Sequence, residues 1–455
     1  MTMTYVVVGG DPRAHDILRA IGHGSVGDPA RRIALCRKDH GIASTQGIEV
    51  FDPRDITDVD LFLFRNRVDI GVISSETDIV RWSKIFGDNQ ISCAAPTTGA
   101  LAITEASKFE SWRIAKKVGT PVPQAYRFDD PATAKNLVRV MFTELAYPLV
   151  IIKADGFAAG KGTTCARSVE EAHAAIDDVL VKKLFGEQSC VVVQEPVVNS
   201  DGDMNRPLQE FSVHAAVFGL NYVMWPTVRD SKYLRGQMTG GTGAYILPNR
   251  VCDDAFKTRM EGRVKKFLHE MTRRGHVMRG FYFPGFAGDP PNEQELEKNV
   301  RMGCPESGPL MMYMRGWQFR EQLAFASGHE SGKSHPLSAV MSGTYLTCML
   351  MTHEYPRKGH AGGVQIHNLD EIARRFGLDG RVTISHGATS FNSSTGEVRT
   401  VPDAGRVLGI NVNEGTMTAA RSLMREVIGI IDCPDLQWDE TVGLEEEEWE
   451  KGQTG

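Results

Sequence analysis

Short apolar runs alternate with amphipathic stretches through the first hundred residues. Tyr5-Val6-Val7-Val8 is an unbroken apolar run closed by Gly9 and Gly10, the pattern of a strand covered on both faces. Asp11 followed by Pro12 gives an N-cap with proline in the first turn, and a helix is expected through Ala14–Ile21. Strand-like runs recur at Arg32–Cys36, Val68–Ile73 and Ile91–Ala94, with a helical pattern over Glu76–Phe86. Such alternation predicts a doubly wound parallel sheet. Ligands of these sheets sit at the carboxyl ends of strands, which puts Gly9, Gly10, Arg13 and Ser74-Ser75-Glu76 on the ligand side. Arg13 and His15, just inside a helix start, are placed to bind an anion with the helix dipole. A solvated first turn accounts for them equally well.

The pattern then changes. Residues 107–118 form an amphipathic helix ending at Gly119, and Pro121 and Pro123 mark a boundary. From Tyr126 to Glu195 the spacing predicts a small α/β unit, whose second helix starts with a Ser168/Glu171 capping box and which the strand Val191–Glu195 leaves. Residues 199–207 are polar and turn-rich, a surface insertion. Glu210–Pro226 alternates as two strands. Arg229–Gly243, rich in glycine and charge, is expected to be a mobile loop. A helix over Asp254–Arg273, a strand over Gly280–Phe286, a turn at 287–293 and the segment Leu296–Gly303 follow. Beyond about residue 336 come short strands, with turns at Gly362-Gly363, Asn392–Gly396 and Pro402–Gly405, and then a helix over Thr416–Ile428. The end, GLEEEEWEKGQTG, is expected to fray.

Composition narrows the classes. At 455 residues the chain exceeds one core, so two to four domains are expected. Net charge is −6 with no long basic block, so nucleic acid is not an expected partner. No apolar run is long enough to span a bilayer, and the N-terminus lacks the charged start and apolar core of a signal peptide. Eight scattered cysteines without C-x-x-C suit reduced thiols in a cytoplasmic protein, and give a zinc site little support.

Two clusters carry candidate chemistry. Lys153–Gly162, KADGFAAGKG, follows the apolar run Leu149–Ile152. Its glycines let backbone N–H groups approach an anion, with Lys153 and Lys161 as charges at either end, although the spacing is not that of a P-loop. A glycine-rich hairpin tip is the competing reading. In Glu297-Lys298-Asn299-Val300-Arg301, alternation puts Glu297, Asn299 and Arg301 on one face. A carboxylate and an amide oxygen two apart suit Mg²⁺, and Arg301 beside them suits a phosphoryl group or carboxylate. The polar face of an edge strand is the alternative, and Glu295 is a competing ligand by type. Lys108, Glu195, Glu210, Asp230 and Lys232 are further charged candidates, each singly compatible with a surface or structural role. His214 and His386 read as core or edge histidines, and no Ser-His-Asp set stands out.

The order of these clusters resembles the phosphoribosylamine–glycine ligase family of the ATP-grasp superfamily over nearly the whole chain. VIIKADGFAAGKGTT is similar to that family's strand and phosphate loop. Glu105-Ala106-Ser107-Lys108 resembles its E-G-S-K, Gln194-Glu195-Pro196 its E-E-F linker and Leu208–Ser212 its E-x-S strand. Pro226–Lys232 resembles P-T-x-x-D-H-K, Thr239–Tyr245 resembles T-G-G-M-G-A-Y, and Glu297–Glu306 resembles E-F-N-x-R-F-G-D-P-E. Ser385–Thr389 and Gly405–Leu408 echo H-A-G-T and G-G-R-V-L. The resemblance implies an α/β protein with an N-terminal doubly wound parallel sheet (1–107), an ATP-grasp large lobe (108–126 and 196–335), a small lid lobe (127–195), a small β-rich C-terminal domain (336–440) and an acidic tail (441–455). It implies ATP held by Lys108, Lys153, Asp155, Gly156, Gly160, Lys161, Gly162, Glu195 and Glu210, and Mg²⁺ or Mn²⁺ on Glu297 and Asn299. Catalytic roles fall to Arg301, Asp230 and Lys232. Gly9, Arg13, His15, Glu76, Gly240, Gly241 and Arg301 fall to the substrates, glycine or another amino acid and a phosphorylated amine. The expected enzyme is a cytoplasmic ligase, monomer or homodimer, joining glycine to 5-phosphoribosylamine through a glycyl phosphate in purine biosynthesis. The small lobe and the 229–243 segment would close over the intermediate. The rivals are a paralogous ligase with a different amine or amino acid, and a non-catalytic nucleotide-binding subunit. The chain departs from the family at the opening G-N-G-G-R-E-H (here Gly9–His15), at A-P-G-N (Cys36–Asp39), at G-P-E (Ser74–Glu76), in a shortened segment before Thr239 (Tyr233–Met238) and at Cys304, where the family has Asp.

Overall fold

The computed structural model describes residues 2–22, 30–156, 162–186, 190–197, 209–314, 316–330, 337, 343–357, 359–377, 380–403 and 405–454. The insertion expected at 199–207 lies outside them. The first unit runs β1 (Thr4–Val8), α1 (Pro12–Gly22), β2 (Arg31–Leu35), β3 (Ile48–Phe51), α2 (Val59–Arg65), β4 (Ile70–Ile73), α3 (Glu76–Asp88) and β5 (Ser92–Ala94). Its five strands are parallel in the order β3-β2-β1-β4-β5. β1 is buried along its whole length, as its unbroken apolar run requires. Strand order reverses at β1, so the loops after β1 and β4 flank the switch point where such sheets bind ligands. Asp11 Oδ1 accepts from the Ala14 N–H at 2.9 Å and caps α1. β3 and α2 leave little periodic signal, because α2 buries only Leu63 while Phe64 is 80% exposed.

A small lobe follows α4 (Thr98–Ala102) and α5 (Lys108–Lys117), the latter capped by Ser107. It comprises β6 (Ala125–Phe128), α6 (Pro131–Thr143), β7 (Val150–Ala154), β8 (Thr163–Ala166), α7 (Val169–Leu180) and β9 (Val191–Gln194) in an antiparallel sheet of order β6-β9-β7-β8. Ile152 and Val193 pack with Ala134, Val138 and Ile176 of the two helices. Alternation then turns Lys153 and Val192 to the opposite face. Ser168 caps α7 by accepting from the Glu171 N–H, while the Glu171 carboxylate reaches back to the Arg167 N–H at 2.8 Å.

The large lobe and C-terminal part contain β10 (Glu210–Ser212), β11 (Ala215–Phe218), β12 (Asn221–Met224), β13 (Val228–Leu234), β14 (Gln237–Ile246), α8 (Asp254–Arg273), β15 (Arg279–Ala287), β16 (Gln294–Asn299), α9 (Ser307–Tyr313), α10 (Gly316–Ser327), β17 (Thr344–Thr352), β18 (Gln365–Ile366), α11 (Leu369–Phe376), β19 (Val382–His386), β20 (Thr389–Asn392), β21 (Glu397–Thr400), β22 (Arg406–Glu414), α12 (Met417–Ile430), β23 (Leu436–Gln437) and α13 (Leu444–Thr454). An 11-stranded sheet runs β12-β11-β15-β10-β13-β14-β17-β22-β19, with β16 on β15 and β23 on β17, while β18-β21-β20 form a separate sheet. Among the described residues no helix is long and apolar enough to cross a membrane.

Three expectations are corrected. Glu210–Pro226 is three strands, β10, β11 and β12. Arg229–Gly243 is not a mobile loop but most of the β13–β14 hairpin, turned at Arg235 (φ 50°) and Gly236 (φ 77°), the two positive φ values of a two-residue hairpin turn. β10 and β17 cover its outer edges, and β14 lies so close to β17 that a Cβ on Gly243 would stand 2.6 Å from the Thr347 carbonyl oxygen. The acidic end does not fray: it is α13, tied down by Arg250–Glu446 at 2.5 Å and by Glu450, whose carboxylate accepts from the Met417 and Thr418 N–H groups at the start of α12.

Candidate active site

A bulge in β16 sets the site. Gly285 pairs with Glu297 and Phe286 with Glu295, so Leu296 is the extra residue. Glu297 and Asn299 therefore share one face, and Glu295 and Lys298 share the other. Asn299 Nδ2 donates to Glu297 Oε1 at 3.1 Å, and Arg301 Nη2 reaches Asn299 Oδ1 at 3.5 Å. Glu295, the competing ligand by type, pairs with buried Lys298, so its carboxylate is occupied.

Along the bulge, Glu295, Leu296 and Glu297 line a crevice with Lys108, Trp112, Val122, Ala125, Lys153 and Val192. Its apolar wall of Trp112, Val122, Ala125 and Val192 continues into the ammonium groups of Lys108 and Lys153. That combination suits a ligand with a flat apolar part and a polyanionic part. Lys108 Nζ donates to the Gly156 carbonyl at 2.8 Å, and Lys153 Nζ to the Leu296 carbonyl at 3.3 Å. Burial lowers the pKa of both lysines, with Glu297 the largest opposing influence. Asp155 is placed differently from a direct ligand. Its Oδ1 accepts from Ser107 Oγ and the Phe109 N–H, and its Oδ2 from Arg127 Nε. It clamps the start of α5 to the end of β7. Gly162 accepts from the Ala154 N–H at 2.7 Å. Gly160 and Lys161 lie outside the described residues. Glu195 follows β9, half-buried beside the Tyr147 hydroxyl.

Beyond the lysines lies a carboxylate cluster. Glu210 and Asp230 are cross-strand partners of β10 and β13, and Lys232 Nζ pairs with Asp230 Oδ2 at 2.6 Å. Burial disfavours charge on Lys232, yet Asp230, Glu306, Glu210 and Glu297 around it hold its pKa well above the ordinary value. Burial raises the pKa of Glu210 and of Asp230, with Lys232 opposing in each case. Desolvation pushes the Glu297 carboxyl up, but Lys232, Lys153 and the Asn299 hydrogen bond bring it below the usual value, so it is ionised. An ionised carboxylate beside an amide fits Mg²⁺ or Mn²⁺ arriving with a polyphosphate. Among the described residues no three or more His, Cys, Asp or Glu side chains are grouped to hold a metal by themselves.

The N-terminal sheet brings a second charged cluster to Arg301. Gly9 (φ 132°) sits where a Cβ would collide with Ser74 Oγ. Arg13 donates to Asp11 Oδ2 at 2.6 and 2.9 Å and to the Met302 carbonyl at 3.2 Å, and approaches Glu76 at 3.5 Å. Arg301 Nε lies 3.1 Å from Glu76 and 2.8 Å from Glu105. Glu76 thus lies between two guanidinium groups; burial raises its pKa, but Arg301 and Arg13 bring it down to about 2. Arg406 Nη1 donates to the Gly240 carbonyl at 2.7 Å and the Cys304 carbonyl at 2.6 Å, and the Gly240 N–H donates to the Tyr355 hydroxyl at 3.0 Å. Gly241 (φ 108°) leaves no room for a Cβ, which would lie 2.5 Å from Pro305 Cδ. Glu105 and Arg406 join the cluster without having been singled out. Their only signals were their places beside Ser107-Lys108 and within Gly405–Leu408.

His15 does not join it, and its expected anion-binding role is corrected. Its ring is fully buried and stacks on His386, with centroids 5.5 Å apart. Nε2 meets Thr45 Oγ1 at 2.9 Å and Nδ1 accepts from the His386 N–H at 2.8 Å, so both nitrogens are used in packing. Burial holds its pKa well below the ordinary value, which keeps the ring uncharged. His214 is also a core residue, stacked on Phe283. The small lobe meets the β13–β14 hairpin through Cys165, whose Sγ lies 3.6 Å from Met238 Sδ.

Residues 106–307 match the family model described as phosphoribosylglycinamide synthetase, ATP-grasp (A) domain. A phosphoribosylamine–glycine ligase of Yersinia pestis is 27% identical over 446 residues, covering 96% of this chain and 96% of the relative. The chloroplastic phosphoribosylamine–glycine ligase of Arabidopsis thaliana is 28% identical over 426 residues, covering 91% of this chain and 76% of the relative. Among solved structures, phosphoribosylamine–glycine ligase from Thermotoga maritima superposes with a TM-score of 0.73 at 21% identity, covering 96% of this chain and 99% of that one. Biotin carboxylase from Campylobacter jejuni gives 0.67 at 13% identity, covering 96% and 93%. At these identities the two structures speak for the fold.

Proposed function

We propose, for a chain that belongs to the phosphoribosylamine–glycine ligase family of ATP-grasp proteins, an ATP-dependent ligation of glycine to 5-phosphoribosylamine through a glycyl phosphate, a step of purine biosynthesis. The observation that carries the reading is the crevice in which Glu297, bonded to Asn299, meets the ammonium-bearing side chains of Lys108 and Lys153.

In this reading the apolar wall around Trp112 receives the base of ATP, and the two lysines receive its phosphates. Glu297 and Asn299 would hold Mg²⁺ or Mn²⁺, which neutralises phosphate charge when bound. A carboxylate oxygen of glycine attacks the γ-phosphorus and the bond to ADP breaks. The amine of phosphoribosylamine then attacks the carbonyl carbon of the glycyl phosphate, loses a proton and displaces phosphate. Arg301 stabilises charge on the transferring group and on the tetrahedral oxyanion. Lys232, kept protonated by the carboxylates around it, supplies a second fixed positive charge. Positioning and charge neutralisation carry the rate, so no side-chain nucleophile is required. We place the reaction in the cytoplasm, a reducing compartment that suits eight scattered cysteines without a C-x-x-C pair.

The test is direct. Purified protein with Mg-ATP, glycine and phosphoribosylamine should release ADP and form the amide in equal amounts. ADP release with a different amine, and no amide from phosphoribosylamine, overturns the substrate assignment. One observation favours that paralogous reading: Asp11 and Glu76 already occupy the Arg13 guanidinium at the amine end.

A further inference from the structure

Glu306 follows the Cys304-Pro305 turn and immediately precedes α9. A carboxylate there can interact with the N-terminus of the helix that follows. Glu306 does not: its side chain makes no cap hydrogen bond, the residue is only 3% exposed, and Oε2 is buried with no hydrogen-bond partner. A buried carboxylate oxygen without a donor is costly to maintain. It is therefore expected where a ligand supplies the donor.

Its surroundings narrow the ligand. Glu306 is among the charges that act on Lys232 and Asp230, so it borders the reaction centre. Lys232, on which Glu306 acts, is bonded to Asp230 at 2.6 Å, and Glu306 Oε2 has no donor. The carboxylate folds back over Gly303, where a Cβ would stand 2.6 Å from the carboxyl carbon. Across the same turn, a Cβ on Gly241 would stand 2.5 Å from Pro305. The turn is packed tightly against both glycines, so any group that reaches Glu306 must be small. A compact cation with several N–H donors meets all three conditions.

We propose that Glu306 receives the ammonium group of the amino-acid substrate, while Arg301, earlier on the same turn, faces its carboxylate. The assignment rests on the ligase reading above and deepens it. It makes Glu306 a substrate-selecting residue that separates glycine from acids of the same size lacking an amine.

The experiment follows ADP release at saturating Mg-ATP and amine, with glycine or glycolate varied, in wild type and in Glu306→Gln. The expected result is a 10–100-fold rise in the KM for glycine, a KM for ATP within twofold of wild type, and a matching fall in the preference for glycine over glycolate. Gly303→Ala provides a second variant, which displaces the carboxylate without removing it. It should also raise the KM for glycine and spare the KM for ATP. Melting with and without Mg-ATP shows that each variant is folded with its nucleotide site intact. An unchanged glycine KM in both folded variants overturns the assignment, whether kcat falls or the Mg²⁺ requirement rises. Wild-type turnover that needs no amino acid overturns the ligase reading and this assignment together, so the two failures are distinguishable.

Discussion

Asp155 lies on the N-terminus of the helix that begins with Lys108. Its Oδ1 accepts from Ser107 Oγ at 3.1 Å and from the Phe109 N–H at 3.2 Å, while the carbonyl of its neighbour Gly156 accepts from Lys108 Nζ at 2.8 Å. Asp155 and Gly156 are therefore tied to the start of α5 and to its first lysine. Asp155→Ala removes the acceptor of the Phe109 N–H and the anion at the helix start, a loss of about 1–2 kcal/mol. If that loss appears in nucleotide binding, the KM for ATP rises about tenfold. Asp155→Asn keeps an acceptor and should fall between the two. Steady-state kinetics in ATP, with a melting curve for each variant, checks the order.

Glu297 is ionised by Lys232 and Lys153 and bonded to Asn299. Glu297→Gln keeps the shape and removes the charge that a divalent cation needs. Mg²⁺-dependent ADP formation should fall by about 100-fold or more, with the Mg²⁺ titration shifted to higher concentration. Turnover equal to wild type would place the metal elsewhere. Turnover absent from the wild type as well as the variant would favour a nucleotide-binding protein over an enzyme.

Legibility in the sequence followed covalent neighbourhood. The shared face of Glu297 and Asn299 was readable because they sit two apart on β16, whose end Arg301 follows by two residues, and the Ser168 cap because its partner is three residues away. The β13–β14 hairpin was not: Arg229, Asp230, Lys232 and its glycines look like a loop until β10 and β17, distant in the chain, cover its edges. His15 had the local features of an anion site. What removes it is the His386 backbone, 371 residues away. The bulge at Leu296, which separates Glu295 from Glu297, also arises from pairing with β15 and carries no local mark.

Two buried carboxylates should answer pH in opposite directions. Glu76 is held at about 2, below its ordinary 4.5: burial works against ionisation, and Arg301 and Arg13 outweigh it. A depressed folded-state pKa means the stabilisation is fully present above pH 4.5 and is lost as pH falls toward 2. Its ceiling is about 3 kcal/mol. The stability difference between wild type and Glu76→Gln should therefore be greatest near pH 6 and shrink toward pH 3, as read by urea midpoints.

Asp16 behaves the other way. Burial raises its carboxyl to about 6 from 3.8, although Ser307 and Ser385 hydroxyls and the Asn411 amide donate to it. The folded state then binds the proton more tightly than the unfolded chain. The associated stability is complete below pH 3.8 and is lost as pH rises through 6, again about 3 kcal/mol at most. Asp16→Asn should be more stable than wild type at pH 7.5, with the gap closing below pH 4. A constant gap across that range would mean the carboxyl titrates normally.

Glu447 on α13 pairs with Arg421 of α12, and both residues are almost fully buried, at 4% and 3% exposure. Lys451 reaches the same carboxylate at 2.9 Å. Removing one partner of a buried pair leaves an uncompensated charge, so Glu447→Ala should cost about 3 kcal/mol. Glu448, next in the same acidic run, is exposed, and Glu448→Ala should change stability by less than about 0.5 kcal/mol. Urea midpoints of the two variants separate a built helix from a charged tail. Equal, small effects would mean that the acidic run contributes only solubility, whereas a large effect confined to Glu447 makes α13 part of the folded unit that supports β17 and β22 through α12.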